Sequence, residues 1–286
     1  MARQKKLIQF YLTNMCNSRC NTCQIWQNKS MHEIALDKVV DIMHDFPDAD
    51  YVFGGGEFTL YTNKEQLLAT ANKLGVNYTI LSNAVNIKLL EPLLSFYNVQ
   101  NLTMSCDGIH HDSIRGIKGN LDNIMHIVAE WKNKIPNIKL SYTLSKFNEE
   151  YIDDDMYFFR SIGFNKIYFC IAQNMDLLKA EGNITPDINN IKYLLDTYND
   201  MLYDKDVQLL KDICNGKHRC CDSTNDVHTI YTNGDVVRCQ SFLSNVVLGN
   251  INNNSLKSIL ESSERMSECP YNDKCELVCQ RRYDYA

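Results

Sequence analysis

The chain has no long apolar run. Its hydrophobic stretches are short and broken by charge, which excludes a membrane-spanning helix, because a span needs about 20 consecutive apolar residues. Nor does an apolar segment precede any cleavage site: Met1-Ala2-Arg3-Gln4-Lys5-Lys6 leads directly into a strand pattern, so no secretory signal is expected and a cytoplasmic location is. Long basic runs are absent too. The nearest approaches are Arg3 to Lys6 and Arg281-Arg282, in a chain of net charge −6. A nucleic-acid binder normally carries a basic face over much of a domain, so chemistry on RNA or a nucleotide is the disfavoured alternative. No low-complexity linker or sequence repeat is visible. The apolar and charged fractions, 44% and 22% over 286 residues, are those of an ordinary globular protein of roughly two domains.

What the chain has in quantity is cysteine. Twelve cysteines suggest a disulfide framework only in small secreted chains, and this one is neither small nor exported, so they are expected to be reduced. They fall into a triplet at Cys16, Cys20 and Cys23, singletons at Cys106 and Cys170, and a C-terminal group of Cys214, Cys220, Cys221, Cys239, Cys269, Cys275 and Cys279. Two groups of thiolates suggest two metal centres.

The triplet has the spacing C-x3-C-x2-C and directly follows a strand. Three thiolates in one short loop can bind three irons of a [4Fe-4S] cubane and leave the fourth open to a small molecule. A zinc knuckle is the plainer alternative. The spacing resembles the signature of the radical S-adenosylmethionine (radical SAM) superfamily, in which the open iron chelates the amino and carboxylate groups of SAM. One departure is Thr22, where the family often has an aromatic residue. Gly54-Gly55-Gly56-Glu57 ends the next strand and resembles the family's GGE motif, which implies SAM contacts from Gly55, Gly56 and Glu57; Phe58 replaces the usual proline. The resemblance extends to Ser105, Asp107-Gly108 and the stretch His111-Asp112-Ser113-Ile114-Arg115-Gly116. Asn83, Ser105, Asp107 and Arg115 join the expected cofactor site, and His110 and His111 are expected to touch substrate.

Periodicity places strands at Leu7–Thr13, 51–53, 78–81, 102–107, 140–144 and 166–171, separated by helical patterns. Ser30-x-x-Glu33 and Thr62-x-x-Glu65 read as capping boxes for the first two helices. Strand followed by helix, six times, gives a parallel sheet covered by helices. The resemblance implies that it curls into a partial (β/α)6 barrel, with its ligands at the C-terminal ends of the strands. An amphipathic helix over 187–203 follows, and a boundary near 204–212 divides the chain into 1–205 and 206–286. On the last strand, Lys166, Tyr168 and Cys170 face the interior by alternation, making Cys170 the expected hydrogen donor if the reaction needs one; packing is the plainer role for this cysteine, as it is for Cys106.

In the second part, 228–238 reads as a β-hairpin around Asn233-Gly234. Cys221-x12-Gly234-x4-Cys239 resembles the opening of the SPASM/twitch extension of radical SAM proteins, and a short helix follows through Leu256 and Ile259. Cys269-x5-Cys275-x3-Cys279 resembles the rest of that motif, but Met266 stands where a cysteine is expected and no cysteine follows Cys279. The resemblance therefore implies one auxiliary cluster, held by Cys221, Cys239, Cys279 and one of Cys275, Cys269, Cys220 or Cys214. A zinc site with four cysteine ligands is the alternative.

As a whole the resemblance implies reductive cleavage of SAM to a 5′-deoxyadenosyl radical that abstracts hydrogen from a peptide or a small molecule, with a flavodoxin- or ferredoxin-like electron donor. Only fifteen residues precede Cys16, so the N-terminal leader-peptide binder of many peptide maturases is not expected; that tilts the balance toward small molecules only slightly. A non-catalytic iron-sulfur electron carrier is the reading from another class. It leaves Glu57 and its glycines unexplained.

Overall fold

A computed structural model of the protein describes residues 5–28, 30–173, 182–216, 226–238 and 246–264. Six strands run parallel in chain order, β1 (Leu7–Thr13), β2 (Asp50–Gly55), β3 (Asn77–Ser82), β4 (Asn101–Ser105), β5 (Asn137–Leu144) and β6 (Tyr168–Ile171). Parallel neighbours need a crossover. Helices supply it: α1 (Leu36–Asp45), α2 (Lys64–Leu74), α3 (Ile87–Phe96), α4 (His111–Arg115) with α5 (Asn120–Trp131), and α6 (Ile152–Ser161). Alternation in β1 works as its sequence demands, with Ile8, Phe10 and Leu12 fully buried and Gln9 and Tyr11 on the face that lines a cavity. Against such faces α1 buries Val39, Ile42 and Met43, each burial stabilising by about 1.5–3 kcal/mol.

Both expected capping boxes are wrong. The N-cap of α1 is Ala35 and that of α2 is Asn63, neither with a side-chain cap bond. Tertiary pairing takes the residues away: Thr13 bridges Glu33, Ile34 N donates to Leu12 O at 2.9 Å, and Glu33 Oε1 accepts from Thr62 N at 3.0 Å. The extended stretch beside β1 delays the helix to Leu36. The helix expected over 187–203 is α7 (Ile188–Tyr198) followed by a single 3-10 turn, and the segment expected to carry the boundary is α8 (Asp204–Cys214), whose Leu209 and Leu210 are buried.

A polar ladder crosses the starting ends of four strands. Asp50, Asn77, Asn101 and Asn137 are each the first residue of their strand. Asn77 Nδ2 donates to Asp50 Oδ1 at 2.8 Å, Asn101 Nδ2 to Asn77 Oδ1 at 3.1 Å, and Asn137 Nδ2 to Asn101 Oδ1 at 2.9 Å. A one-residue slip would turn every such side chain to the other face, so the ladder fixes register from β2 to β5.

The hairpin expected in the second part is present as β7 (Val227–Ile230) and β8 (Asp235–Val237), with Gly234 N donating to Tyr231 O at 2.8 Å across the turn. Its placement was not foreseen: β7 pairs in parallel with β1, extending the sheet on that side. Antiparallel β9 (Val247–Asn250) and helix α9 (Leu256–Ser262) follow, the helix capped by Ser255 Oγ on Ser258 N. Cys220, Cys221, Cys239, Cys269, Cys275 and Cys279 lie outside the described residues. Among the described residues no helix is long and apolar enough to cross a membrane.

Candidate functional site

The loop after β1 is fastened from three sides. From the end of β2, Gly56 N donates to Thr13 O and Glu57 N to Met15 O, both at 2.8 Å; from α4, Arg115 O and Ile114 O accept from Arg19 N (2.8 Å) and Asn21 N (2.9 Å); from the extended stretch, His32 O accepts from Asn14 N (3.1 Å). Cys16, Cys20 and Cys23 are carried on this loop and line one cavity of about 310 Å³ at the C-terminal ends of the strands. Burial pushes the Cys16 thiol up to about 12 and the Cys23 thiol to about 11.

Gly55 and Gly56 let the loops meet. A Cβ on Gly56 would sit 2.2 Å from Met15 O, and one on Gly55, whose φ is +126°, 2.5 Å from Thr13 O. Glu57 is buried, and burial raises its carboxyl above the usual range despite four donors. Its Oε1 accepts from Thr59 N, Thr59 Oγ1 and Ser82 Oγ, while Oε2 accepts from Asn83 N alone, at 2.8 Å. Oε1 is thus filled by protein, while Oε2 has one protein donor, on a residue that lines the cavity. Phe58, in place of the family proline, is fully buried and stacks on Phe53 at 6.4 Å between centroids.

Asn83 turns out to be a hub. Its Nδ2 donates to Asn17 Oδ1 (2.8 Å) and Ser18 Oγ (2.9 Å) and lies 3.8 Å from Cys16 Sγ. Asn120 Nδ2 reaches Asn83 O at 3.1 Å and His111 Nε2 at 2.7 Å, and Asp107 N donates to His111 Nδ1 at 3.1 Å. His111 is 0% exposed, and burial, the largest cause, with the Arg115 charge lowers its pKa to about 4. It is a neutral structural bridge, which corrects the expectation of substrate contact. His110 packs on Tyr151, with ring centroids 3.9 Å apart.

Asp107 and Arg115 form a bidentate pair, Nε–Oδ2 at 2.5 Å and Nη2–Oδ1 at 3.1 Å. The remaining Nη1 lies 3.8 Å from Cys20 Sγ. A line of polar contacts therefore runs from Cys16 through Asn83, Asn120, His111, Asp107 and Arg115 to Cys20. Sequence reasoning placed Asn83, Asp107 and Arg115 near the cofactor and missed Asn120, whose only signal is a polar residue at the start of an otherwise amphipathic helix.

Ser105 and Cys170 line the cavity with the triplet, as do Ser141, Thr143 and Gln173, which the sequence reading did not single out. Cys106 is fully buried in the core, and Cys214, on the last turn of α8, packs against that core half-buried. Among the described residues no three His, Cys, Asp or Glu side chains converge to hold one metal ion. The triplet instead presents three separate thiols around a shared space, the donor set for a cubane that takes one thiolate per iron.

A family model described as the radical SAM superfamily matches residues 10–159, and one described as an iron-sulfur cluster-binding domain, SPASM, matches residues 220–281. Among curated proteins, Fe-coproporphyrin III synthase of Methanosarcina barkeri (strain Fusaro / DSM 804) is 27% identical over 158 residues, 51% of this chain and 38% of that protein. Among solved structures, Streptococcus suis SuiB bound to precursor peptide SuiA has a TM-score of 0.69 at 14% identity, covering 90% of this chain and 64% of that one. The anSMEcpe structure with bound AdoMet has a TM-score of 0.68 at 17% identity, covering 92% and 82%. The chain thus spans less than two thirds of both the curated relative and SuiB, and at these identities the structural likeness is one of fold.

Proposed function

The chain belongs to the radical SAM superfamily, and on that premise we propose that it holds a [4Fe-4S] cluster on Cys16, Cys20 and Cys23 and takes a hydrogen atom from a peptide substrate. The reading rests above all on one observation: the three thiols, the Gly55-Gly56-Glu57 loop, Asn83, Ser105, Arg115 and Cys170 line a single cavity at the C-terminal ends of parallel strands. When bound, the cluster supplies one electron to SAM, whose cleavage yields methionine and the 5′-deoxyadenosyl radical.

The chain's own part is binding and orientation. Gly55 and Gly56 admit close backbone approach, and Glu57 Oε2, with its one protein donor, suits the SAM amino group. Ser105, Asn83 and the Asp107–Arg115 pair complete the cofactor side. A flavodoxin- or ferredoxin-like protein in the cytoplasm is the proposed electron donor, and 1–205 and 206–286 the working division into barrel and auxiliary module. The auxiliary cluster would use Cys221, Cys239, Cys279 and one further cysteine, so iron analysis is expected to give about eight irons per chain. Four irons with one zinc would favour a zinc site in the second module.

A peptide substrate is favoured by the likeness to SuiB with its precursor peptide. A small molecule is the second reading, favoured by the name of the curated relative. Anaerobic assay with SAM and a reductant separates them: 5′-deoxyadenosine formation should rise with added precursor-type peptides, whereas a rise with an iron-porphyrinoid precursor and formation of iron-coproporphyrin would favour the small-molecule reading. No 5′-deoxyadenosine under any condition would sink the enzyme reading altogether.

Cys170 is the proposed hydrogen donor if the product is an epimer. Burial pushes its thiol up to about 12, so it keeps the S–H that such a step consumes. The hydrogen atom passes to the substrate carbon, and the sulfur radical left behind takes one electron from the external donor and a proton from solvent. Cys170→Ala is expected to retain SAM cleavage while product no longer gains solvent deuterium at the reacting carbon. Labelled product at the normal rate would leave Cys170 as packing.

A further inference from the structure

We infer that Arg115 tunes the reduction potential of the cluster through its contact with Cys20, a role separate from any hold on SAM. The inference rests on the reading that Cys16, Cys20 and Cys23 hold that cluster. Three observations support it. The guanidinium gives its Nε and Nη2 to Asp107, leaving Nη1 3.8 Å from Cys20 Sγ. The pair is withdrawn from solvent, with the arginine side chain 14% and the aspartate 1% exposed. The arginine's own backbone is tied to the cysteine loop by the Arg19 N to Arg115 O bond, so the charge and the sulfur move together.

Reduction adds one electron to the cluster from a low-potential one-electron donor, and no bond or proton at Arg115 changes. The added negative charge is stabilised by donors to the ligand sulfurs and by a nearby cation, more so in a site screened from water. Arg115 supplies both at Cys20. Asn83 supplies only a neutral donor at Cys16, shared with Asn17 and Ser18. Asp107 opposes the effect by offsetting the arginine's charge, so the pair sets the potential between two limits.

The test is a redox titration of the full-length, reconstituted holoenzyme without SAM, followed by electron paramagnetic resonance on the signal that SAM perturbs. For Arg115→Gln the ratio of reduced to oxidised cluster at a fixed potential should fall about tenfold, a midpoint ~59 mV more negative, and the neutral pair Asp107→Asn with Arg115→Gln should move it the same way by less. Asp107→Asn alone should move it the other way. A double variant with normal iron and a wild-type midpoint would overturn the inference and reduce Arg115 to neutralising Asp107 or binding SAM. If the glutamine variants fail to load the cluster, an unmoved midpoint in Asp107→Asn overturns it equally. Failure of the underlying cluster assignment would look different, since wild type itself would then show no SAM-sensitive signal.

Discussion

Replacing Cys16, Cys20 and Cys23 together by alanine should bring 5′-deoxyadenosine formation below detection while leaving about four irons per chain at the C-terminal site. The triplet is the thiol set that lines the cavity beside the glycine loop, and it shares no cysteine with the C-terminal group. Without thiolates the loop has no ligand for iron, and enzymes of all kinds supply rate enhancements of at least about 10⁶, so the loss should be complete. The fold should survive. The loop's backbone is held by Gly56, Glu57, Ile114, Arg115 and His32, none of which changes. Iron and sulfide analysis with far-ultraviolet circular dichroism checks both halves of the expectation; a folded triple variant stripped of all its iron would refute the two-cluster assignment.

Gly56→Ala should be nearly as severe, by a different route. The new methyl carbon would sit 2.2 Å from Met15 O and 2.7 Å from Met15 C, both backbone atoms, so relief requires the two loops to part. Parting them breaks the Gly56 N to Thr13 O and Glu57 N to Met15 O bonds and pulls Glu57 from its four donors. Losing such a buried set costs several times the about 1 kcal/mol of one ordinary hydrogen bond. Cluster content and SAM cleavage should both fall at least tenfold. Gly75→Ala is the control: at φ +68° it caps α2 with nothing within 4 Å of the added carbon, so it should cost only about 1–2 kcal/mol for the left-handed backbone and leave cluster content unchanged. Equal cluster loading in Gly56→Ala and wild type would show that the loops need not meet here.

Much of this was legible in the sequence, because strand alternation and the position of ligand loops after parallel strands are local patterns. β1 matches its expected span. What failed were readings that treated local chemistry as decisive. Ser30 and Glu33 have the form of a capping box, yet Glu33 is spent on Thr62 N, a contact between segments that no local window contains. His111 is expected from the sequence to touch substrate, but its ring is buried between Asp107 and Asn120. The parallel pairing of β7 with β1 is invisible for the same reason, since each strand reads as an ordinary half-buried strand. Of the site, residue types and spacing identified the three thiols and the glycine loop; the Asp107–Arg115 pair was recognised by family likeness, and its reach to Cys20 only by geometry.

The polar ladder at the strand starts covers only part of the sheet's parallel run. It ends at Asn137, and β6 first pairs with β5 farther along, at Ser141. The lower end of β6 leans instead on the segment after α7, where Ile167 N donates to Met201 O at 2.9 Å and Lys166 Nζ meets Leu202 O. Strands β2 to β5 are laced together like the ribs of a fan at its rivet, while β6 with α7 hangs outside the lacing. The ladder therefore sets the spacing of the strands that lead to Glu57, Asn83 and Ser105, whereas Cys170, on the cavity's other side, takes its place from the β5–β6 pairing and from Met201 and Leu202.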